Sequence, residues 1–335
     1  MATYKRQRYL FMTLDPVHIG TGGYRLGRVD NSIVREPGTK IPKIPGTSLH
    51  GAARTYAAQL YETPEAAGQS HNEVEGDNPI CYTFGYIKSK EIYSGVVNIF
   101  DAHILLFPVH SMVGPVWVST VERLKDAGFT LEPLPNDRNI DQVVLNWERT
   151  EALNLGWLMV GIAGQVTITA PSQWESEQRY KAISKIVIVK DSLFSQVVNS
   201  NLEVRTSVAI NPETGAAEEG ALFTYEAIPR ATFLTADVVL DDYRNGGNSR
   251  PFPKDKTSKN NPLLGGSWNC PLCIVKTGFR MIEWLGVGGM GTRGFGRMAM
   301  VGEPLTVEIQ ELFNQSNQQE SSGQPTETAT TNEGG

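Results

Sequence analysis

Cysteine and histidine are scarce in this chain of 335 residues, and long apolar runs are missing. The three cysteines, Cys81, Cys270 and Cys273, are too few for a disulfide framework and suit a reducing compartment better. Cys270 and Cys273 form a lone C-x-x-C. A structural zinc site normally takes four ligands, so this is half a site that His110 or Cys81 would have to complete. Structural zinc is therefore not expected, and two half-buried thiols at a helix entry are the plainer reading. No stretch approaches the roughly 18 apolar residues that mark a membrane span. The polar, basic start Met1–Arg8 is followed by only a short apolar stretch, unlike a signal peptide. The chain is thus expected in the cytoplasm, with no membrane partner. An excess of positive charge is absent too: the formal charge is −6, which argues against a nonspecific polyanion binder.

The charge that is there is unevenly placed. Residues 1–60 carry nine Lys/Arg and three acids, a local +6, which leaves −12 on the remainder. A basic face on an acidic body can still hold a polyanion, because screening limits distant charges to about 10 Å.

Patterning divides the chain into short elements. Residues 8–16 alternate like a strand. Residues 17–47, rich in glycine and proline, read as a long ordered loop of the kind that usually carries function. A helix follows, with Thr47 or Ser48 as its cap and Leu49, Ala52, Ala53, Tyr56 and Leu60 at helical spacing. Residues 62–79 read as an exposed acidic excursion. Strands are expected at 96–107, ending at Phe107-Pro108, at 115–121 and at 157–169, and helix around Lys181–Val189. Two β-like runs flank Asn211-Pro212-Glu213-Thr214-Gly215, so 203–228 reads as a long hairpin. Residues 244–269 read as a flexible insertion. Ile274, Val275, Phe279, Ile282 and Leu285 mark a helix over 271–285, stopped by Gly286, and a last strand covers about 297–308. The tail from about 314 has too little apolar surface to offset chain entropy and is expected to be disordered. The fold class expected is α+β: a ferredoxin-like (RRM-like) core over 1–313 with insertions near 62–79, 172–228 and 244–269, followed by the tail 314–335.

Three segments carry the candidate chemistry. The first runs from His18-Ile-Gly-Thr-Gly to Val29-Asp30-Asn31-Ser32-Ile33-Val34-Arg35. The second is Ile44-Pro45-Gly46-Thr47-Ser48-Leu49-His50-Gly51, leading to Arg54. Its helix N-terminus could receive an anion, with Arg54 one turn in, although capping alone explains Thr47 and Ser48 equally well. The third is Gly286-Val-Gly-Gly-Met-Gly-Thr-Arg293-Gly-Phe295-Gly296-Arg297, with six glycines in eleven residues. Such a loop lets backbone amides approach a phosphate, and Arg293 and Arg297 add forked donors. It lacks a Walker ending and joins helix to strand, the reverse of a Rossmann turn. A tight glycine-rich connection is the plain alternative.

Together these segments resemble the RAMP superfamily of CRISPR proteins over roughly residues 8–305. The glycine-rich loop after the last helix is its shared mark. Phe100-Asp101-Ala102-His103-Ile104-Leu105-Leu106-Phe107-Pro108-Val109-His110-Ser111 and Gly220-Ala221-Leu222-Phe223-Thr224-Tyr225-Glu226 are similar to the family of subunit four of the type III-B Cmr complex. The resemblance implies a backbone subunit that stacks with other copies of itself and with other Cmr subunits along a guide RNA. Its thumb-like hairpin, here 203–228, enters the guide–target duplex. An aspartate in the first loop, here Asp30, cleaves the paired single-stranded target RNA at regular intervals with loosely held Mg²⁺ or Mn²⁺. RNA contacts would come from Thr47, Ser48, His50, Arg54, Gly288, Gly289, Gly291, Arg293, Gly294 and Arg297. Two positions depart from the family pattern: His50 stands where Lys is usual, and His110 where Arg is usual.

The residue types suit that chemistry. Positioning, charge stabilisation and proton transfer suffice for a 2′-hydroxyl attacking its neighbouring phosphate. Asp30 could hold a hydrated ion or act as base, and His18, Glu226 and Tyr225 are candidate assistants. The alternatives are a guide-binding scaffold that does not cut, a metal-independent guide-processing endoribonuclease centred on His18, and an enzyme that binds a small phosphorylated molecule on the glycine loop. For Asp30 itself, the alternative is a loop aspartate bonded to its own backbone.

Overall fold

The computed structural model describes residues 3–22, 29–68, 70–75, 77–137, 139–245, 251–253 and 268–308. The tail 314–335 and most of the 244–269 insertion lie outside them. Strand β1 (Thr3–Thr13) is followed, after the long loop, by helix α1 (Gly46–Leu60). Then come β2 (Ala102–Ser111), β3 (Gly114–Ser119), β4 (Gln142–Leu145), β5 (Leu153–Leu155), β6 (Leu158–Gln165) and β7 (Ile186–Ile188). Helix α2 (Asp191–Ser200) leads into the hairpin β8 (Glu203–Ile210) and β9 (Ala217–Ala227). Strand β10 (Phe233–Asp242), helix α3 (Pro271–Leu285) and β11 (Met298–Met300) complete the order.

A mixed sheet runs β5-β6-β4-β7-β3-β2-β10-β1-β11, with three short strands added at its margins. Tyr9 and Phe11 of β1 face α1 and α3, while Leu10 between them faces a second core with Phe233 and Trp174. That alternation, with both faces buried here, is why Tyr9–Met12 reads as an unbroken apolar run, whereas the polar residues Lys5–Arg8 before it are only half-buried. Phe279 of α3 meets Tyr9 and Phe11 edge-on at 5.1 and 5.3 Å. The two helices cross closely at Gly278, where a Cβ would lie 2.3 Å from the Ala53 carbonyl oxygen.

Several expectations need correction. Helix was expected around Lys181–Val189, but Ile186, Val187 and Ile188 form buried β7 between β3 and β4. A β-branched run buried all round has no helical stripe to show. Strand β2 passes through Pro108 to Ser111. Pro108 faces Trp117, whose amide donates away from β2 to the Lys185 carbonyl, so the pair is a non-hydrogen-bonded one and the missing N–H costs no ladder bond. The excursion at 62–79 is not wholly exposed, since Ala66, His71 and Val74 are buried. Leu285 was placed on the packed face of its helix but is exposed beside Trp284. Cys270 and Cys273, expected as free thiols, are disulfide-bonded at the start of α3, and Cys270 Sγ accepts from the Cys273 amide as its cap.

Candidate active site

The loop between β1 and α1 is stitched to the base of the hairpin. Val17 and Ile228 exchange backbone hydrogen bonds at 2.9 Å each. Further on, the Asn31 amide donates to the Thr224 carbonyl and the Glu226 amide to the Asn31 carbonyl, both at 3.0 Å. Three consecutive residues of β9, Thr224, Tyr225 and Glu226, therefore organise the whole site.

Asp30 is exposed, and its Oδ2 accepts from the Thr224 amide at 2.8 Å and from the Thr224 hydroxyl at 2.7 Å. The Asp30 amide returns a bond to the same hydroxyl at 2.9 Å. The Thr224 hydroxyl, then its amide, hold the Asp30 carboxyl below the usual carboxylate range. Both protein bonds fall on Oδ2, which leaves Oδ1 for a ligand. The aspartate is thus bonded chiefly to a strand almost two hundred residues away, with its own backbone amide a lesser contribution.

His18 is buried, with Nδ1 2.6 Å from the Glu226 carbonyl oxygen. A carbonyl only accepts, so Nδ1 carries a proton. The imidazole meets Tyr225 edge-on at 6.0 Å, and Arg293 Nη1 donates to the Tyr225 hydroxyl at 3.1 Å. A cleft of about 490 Å³ opens there, lined by Asn31, Ser207, Phe223, Tyr225 and Arg293 among others. A larger groove of about 880 Å³, bounded by Arg8, Asp101, Arg123 and Asp237, includes none of these residues.

Glu226 does not present a free carboxylate. Its Oε1 pairs with Arg35 Nη2 at 2.6 Å, and its Oε2 lies 3.4 Å from the Ile33 amide. Arg35 also reaches the Ile33 carbonyl and Asn199. Glu226 therefore braces the loop that bears Asp30.

The glycine-rich loop lies directly on the His18 segment. The Gly289 amide donates to the His18 carbonyl at 3.0 Å. Gly288 has φ +88°, and a Cβ there would fall 2.4 Å from Ile19 Cδ1 and 2.6 Å from the His18 oxygen. Close backbone contact explains that glycine without a ligand. Gly291 and Arg293 bound a short 3₁₀ turn capped by Gly294, and Arg293 is exposed there. Arg297 is held by Asp15. Arg205 of β8 sits 4.9 Å over the Phe295 ring, joining hairpin and loop.

The start of α1 differs from expectation. The helix begins at Gly46 after Pro45, with no cap from Thr47 or Ser48. Asp101 Oδ1 accepts from the Gly46 amide at 2.7 Å, while its Oδ2 and Glu36 Oε1 hold Lys43. A carboxylate already lies where an anion was expected. Arg54 turns inward and donates to the carbonyls of Ala66, Phe84 and Gly85 at 2.8, 3.3 and 2.9 Å. His50 lies edge-on to Phe84, and burial, then Arg54, lower its pKa, so it is neutral near pH 7 rather than titrating there. Sequence reasoning passed over Thr224 and Arg35 as functional residues. Only their location inside motif segments pointed to them.

Among the described residues, no group of three or more His, Cys, Asp or Glu is placed to hold a metal ion, and no helix is long and apolar enough to cross a membrane.

The model of the RAMP superfamily matches residues 10–299. The CRISPR system Cmr endoribonuclease Cmr4 of Pyrococcus furiosus is 29% identical over 266 residues, 74% of this chain and 86% of that protein. Among solved structures, oligomeric Cmr4 from Pyrococcus furiosus superposes with a TM-score of 0.52 at 20% identity, covering 91% of this chain and 99% of the other. A chain of the type III-B Cmr-beta complex bound to cognate target RNA gives 0.57 at 16% identity, covering 88% and 96%. The fold, a mixed α/β arrangement around one large mixed sheet, is shared with these structures. With nearly the whole described body inside the matched region, the chain belongs to the RAMP superfamily.

Proposed function

We propose that this chain is the backbone subunit of a type III-B CRISPR effector and cleaves guide-paired target RNA at Asp30. The observation that carries this reading is the exposed carboxylate of Asp30 held on the base of the hairpin, in a chain similar to a Cmr endoribonuclease. Guide RNA, single-stranded target RNA, other copies of the chain and other Cmr subunits are its partners, and the cytoplasm is where it works.

The strand order supports a ferredoxin-like core. β1-α1-β2 and β10-α3-β11 are two β-α-β units, and their strands lie in the order β2-β10-β1-β11. Among the described residues the hairpin β8–β9 forms a two-stranded sheet of its own, which supports reading it as the thumb.

In the proposed reaction the 2′-oxygen of one nucleotide attacks the adjacent phosphorus and the P–O5′ bond breaks. This leaves a 2′,3′-cyclic phosphate and a 5′-oxygen that takes a proton from water to become the 5′-hydroxyl. Asp30 Oδ1 accepts the 2′-hydroxyl proton while Thr224 fixes Oδ2. Arg293, beside the cleft, neutralises phosphate charge, and the Tyr225 ring offers a face for a displaced base. His18 is enclosed and bonded to the backbone, so it braces Tyr225 rather than acting as the main base. This weighs against a guide-processing enzyme centred on His18. One exposed carboxylate fits no more than a loosely held, hydrated Mg²⁺ or Mn²⁺, which Asp30 would hold. Such an ion, when bound, would stabilise phosphoryl charge.

The test is target-RNA cleavage by the reconstituted complex, wild type against Asp30→Ala, with Mg²⁺ and then EDTA. Evenly spaced cuts lost on mutation, with target binding intact, support the reading. Binding without cuts in the wild type reduces the chain to a scaffold.

A further inference from the structure

We propose that Thr224 is the positioning residue of this site: it locks the Asp30 carboxylate in one orientation and ties that orientation to the seating of the hairpin. The inference rests on the reading of Asp30 as the cleaving residue.

Three hydrogen bonds join these two residues across 194 positions of sequence, and the threonine hydroxyl takes part in two of them. It donates to Oδ2 and accepts from the Asp30 amide, so backbone and side chain are fixed together. A carboxylate on an exposed loop otherwise samples several rotamers. With Oδ2 bound from two directions, Oδ1 points one way only. Thr224 itself cannot rotate freely, because it is β-branched and stands in a paired strand opposite Thr206. Its neighbours brace the contact, with Glu226 on Arg35 and Asn31 bridged to Tyr225.

The bond network also has a direction of control. Thr224 belongs to the hairpin and Asp30 to the first loop. A displacement of the base of β9 relative to the first loop moves the donor pair and releases Oδ2. The carboxylate is therefore aligned only while the hairpin is seated, and cleavage is coupled to hairpin position through one hydroxyl.

The experiment compares Thr224→Val and Thr224→Ser in the reconstituted complex, beside wild type and Asp30→Ala. Target affinity is measured in EDTA, and single-turnover cleavage at saturating target with Mg²⁺. Valine keeps the shape and strand preference and removes only the hydroxyl. We expect Thr224→Val to lose about 10- to 100-fold in saturated cleavage rate, the scale of a misplaced catalytic group, with affinity and complex size unchanged. Thr224→Ser should recover most of the rate. A valine variant that cuts at the wild-type rate would overturn the proposal. So would one whose cleavage falls only in step with affinity, or a serine variant as slow as the valine. If Asp30→Ala itself still cuts, the assignment of Asp30 fails and Thr224 with it, a different outcome from an inactive Asp30→Ala beside a fully active Thr224→Val.

Discussion

Two segments of this chain carry similar residues and do opposite things with them. The loop bearing Asp30 and the start of α1 each offer polar and basic side chains beside backbone amides. In the loop, the supporting bonds come from Thr224 and Glu226 and leave the Asp30 side chain exposed, next to Asn31, which lines the cleft with Arg293 of the glycine-rich loop. At the start of α1, the same kinds of groups are consumed internally. Asp101 takes the Gly46 amide, and Arg54 spends its donors on carbonyls of the 62–85 region. A residue's type shows what it can bind, and its remaining valence decides what it does bind.

This contrast can be broken or sharpened by four measurements. Asp30→Ala should reduce target cleavage on the order of 10³-fold, the range of a lost general acid–base group, without weakening target binding. Residual cutting near wild type would erase the distinction between the segments. Glu226→Gln removes the charge facing Arg35 but keeps the shape. It should slow cleavage about 10-fold by loosening the loop, and a loss as large as that of Asp30→Ala would make Glu226 catalytic in its own right.

Arg54→Met should act on stability, not on RNA. Orphaning three carbonyl acceptors should cost roughly 2 kcal/mol, seen as a lower thermal midpoint, with guide-RNA affinity unchanged below that midpoint. Weaker guide binding at unchanged stability would place Arg54 on the RNA after all. The smallest effect concerns pH. Burial lowers the folded-state pKa of His50, so the unfolded chain binds the proton more readily. The stability tied to a neutral His50 is then complete above the unfolded value of about 6.5 and is lost as pH falls below it. The thermal midpoint should drop on acidification from pH 7 toward 5, and His50→Leu should flatten part of that slope. His71, lowered by burial and then by Arg54, contributes to the slope that stays.

What the sequence disclosed follows the same division. The hairpin could be located because Asn211 starts a turn, and its Oδ1 does accept from the Glu213 and Thr214 amides. Helix α3 could be read from its apolar stripe and terminal glycine, and Asp30 from the motif around it. Strand β10 escaped notice although it is an interior strand between β2 and β1, since its alternation ends in two aspartates and resembles a surface segment. The Asp101 cap lies 55 residues from its helix and the Thr224 latch 194 from its aspartate. Local pattern holds no information about such pairs, which exist only once the chain has closed on itself.

Among the described residues the hairpin pairs with no strand of the main sheet, yet its root is bonded to the first loop at Val17 and Asn31. Mechanically it is a lever whose fulcrum and trigger coincide. Its outer arm carries exposed Val208, Ile210 and Leu222, and load applied there turns about the residues that grip Asp30. Bending near the tip would be absorbed silently, whereas torque that reaches the root would be felt by the aspartate at once.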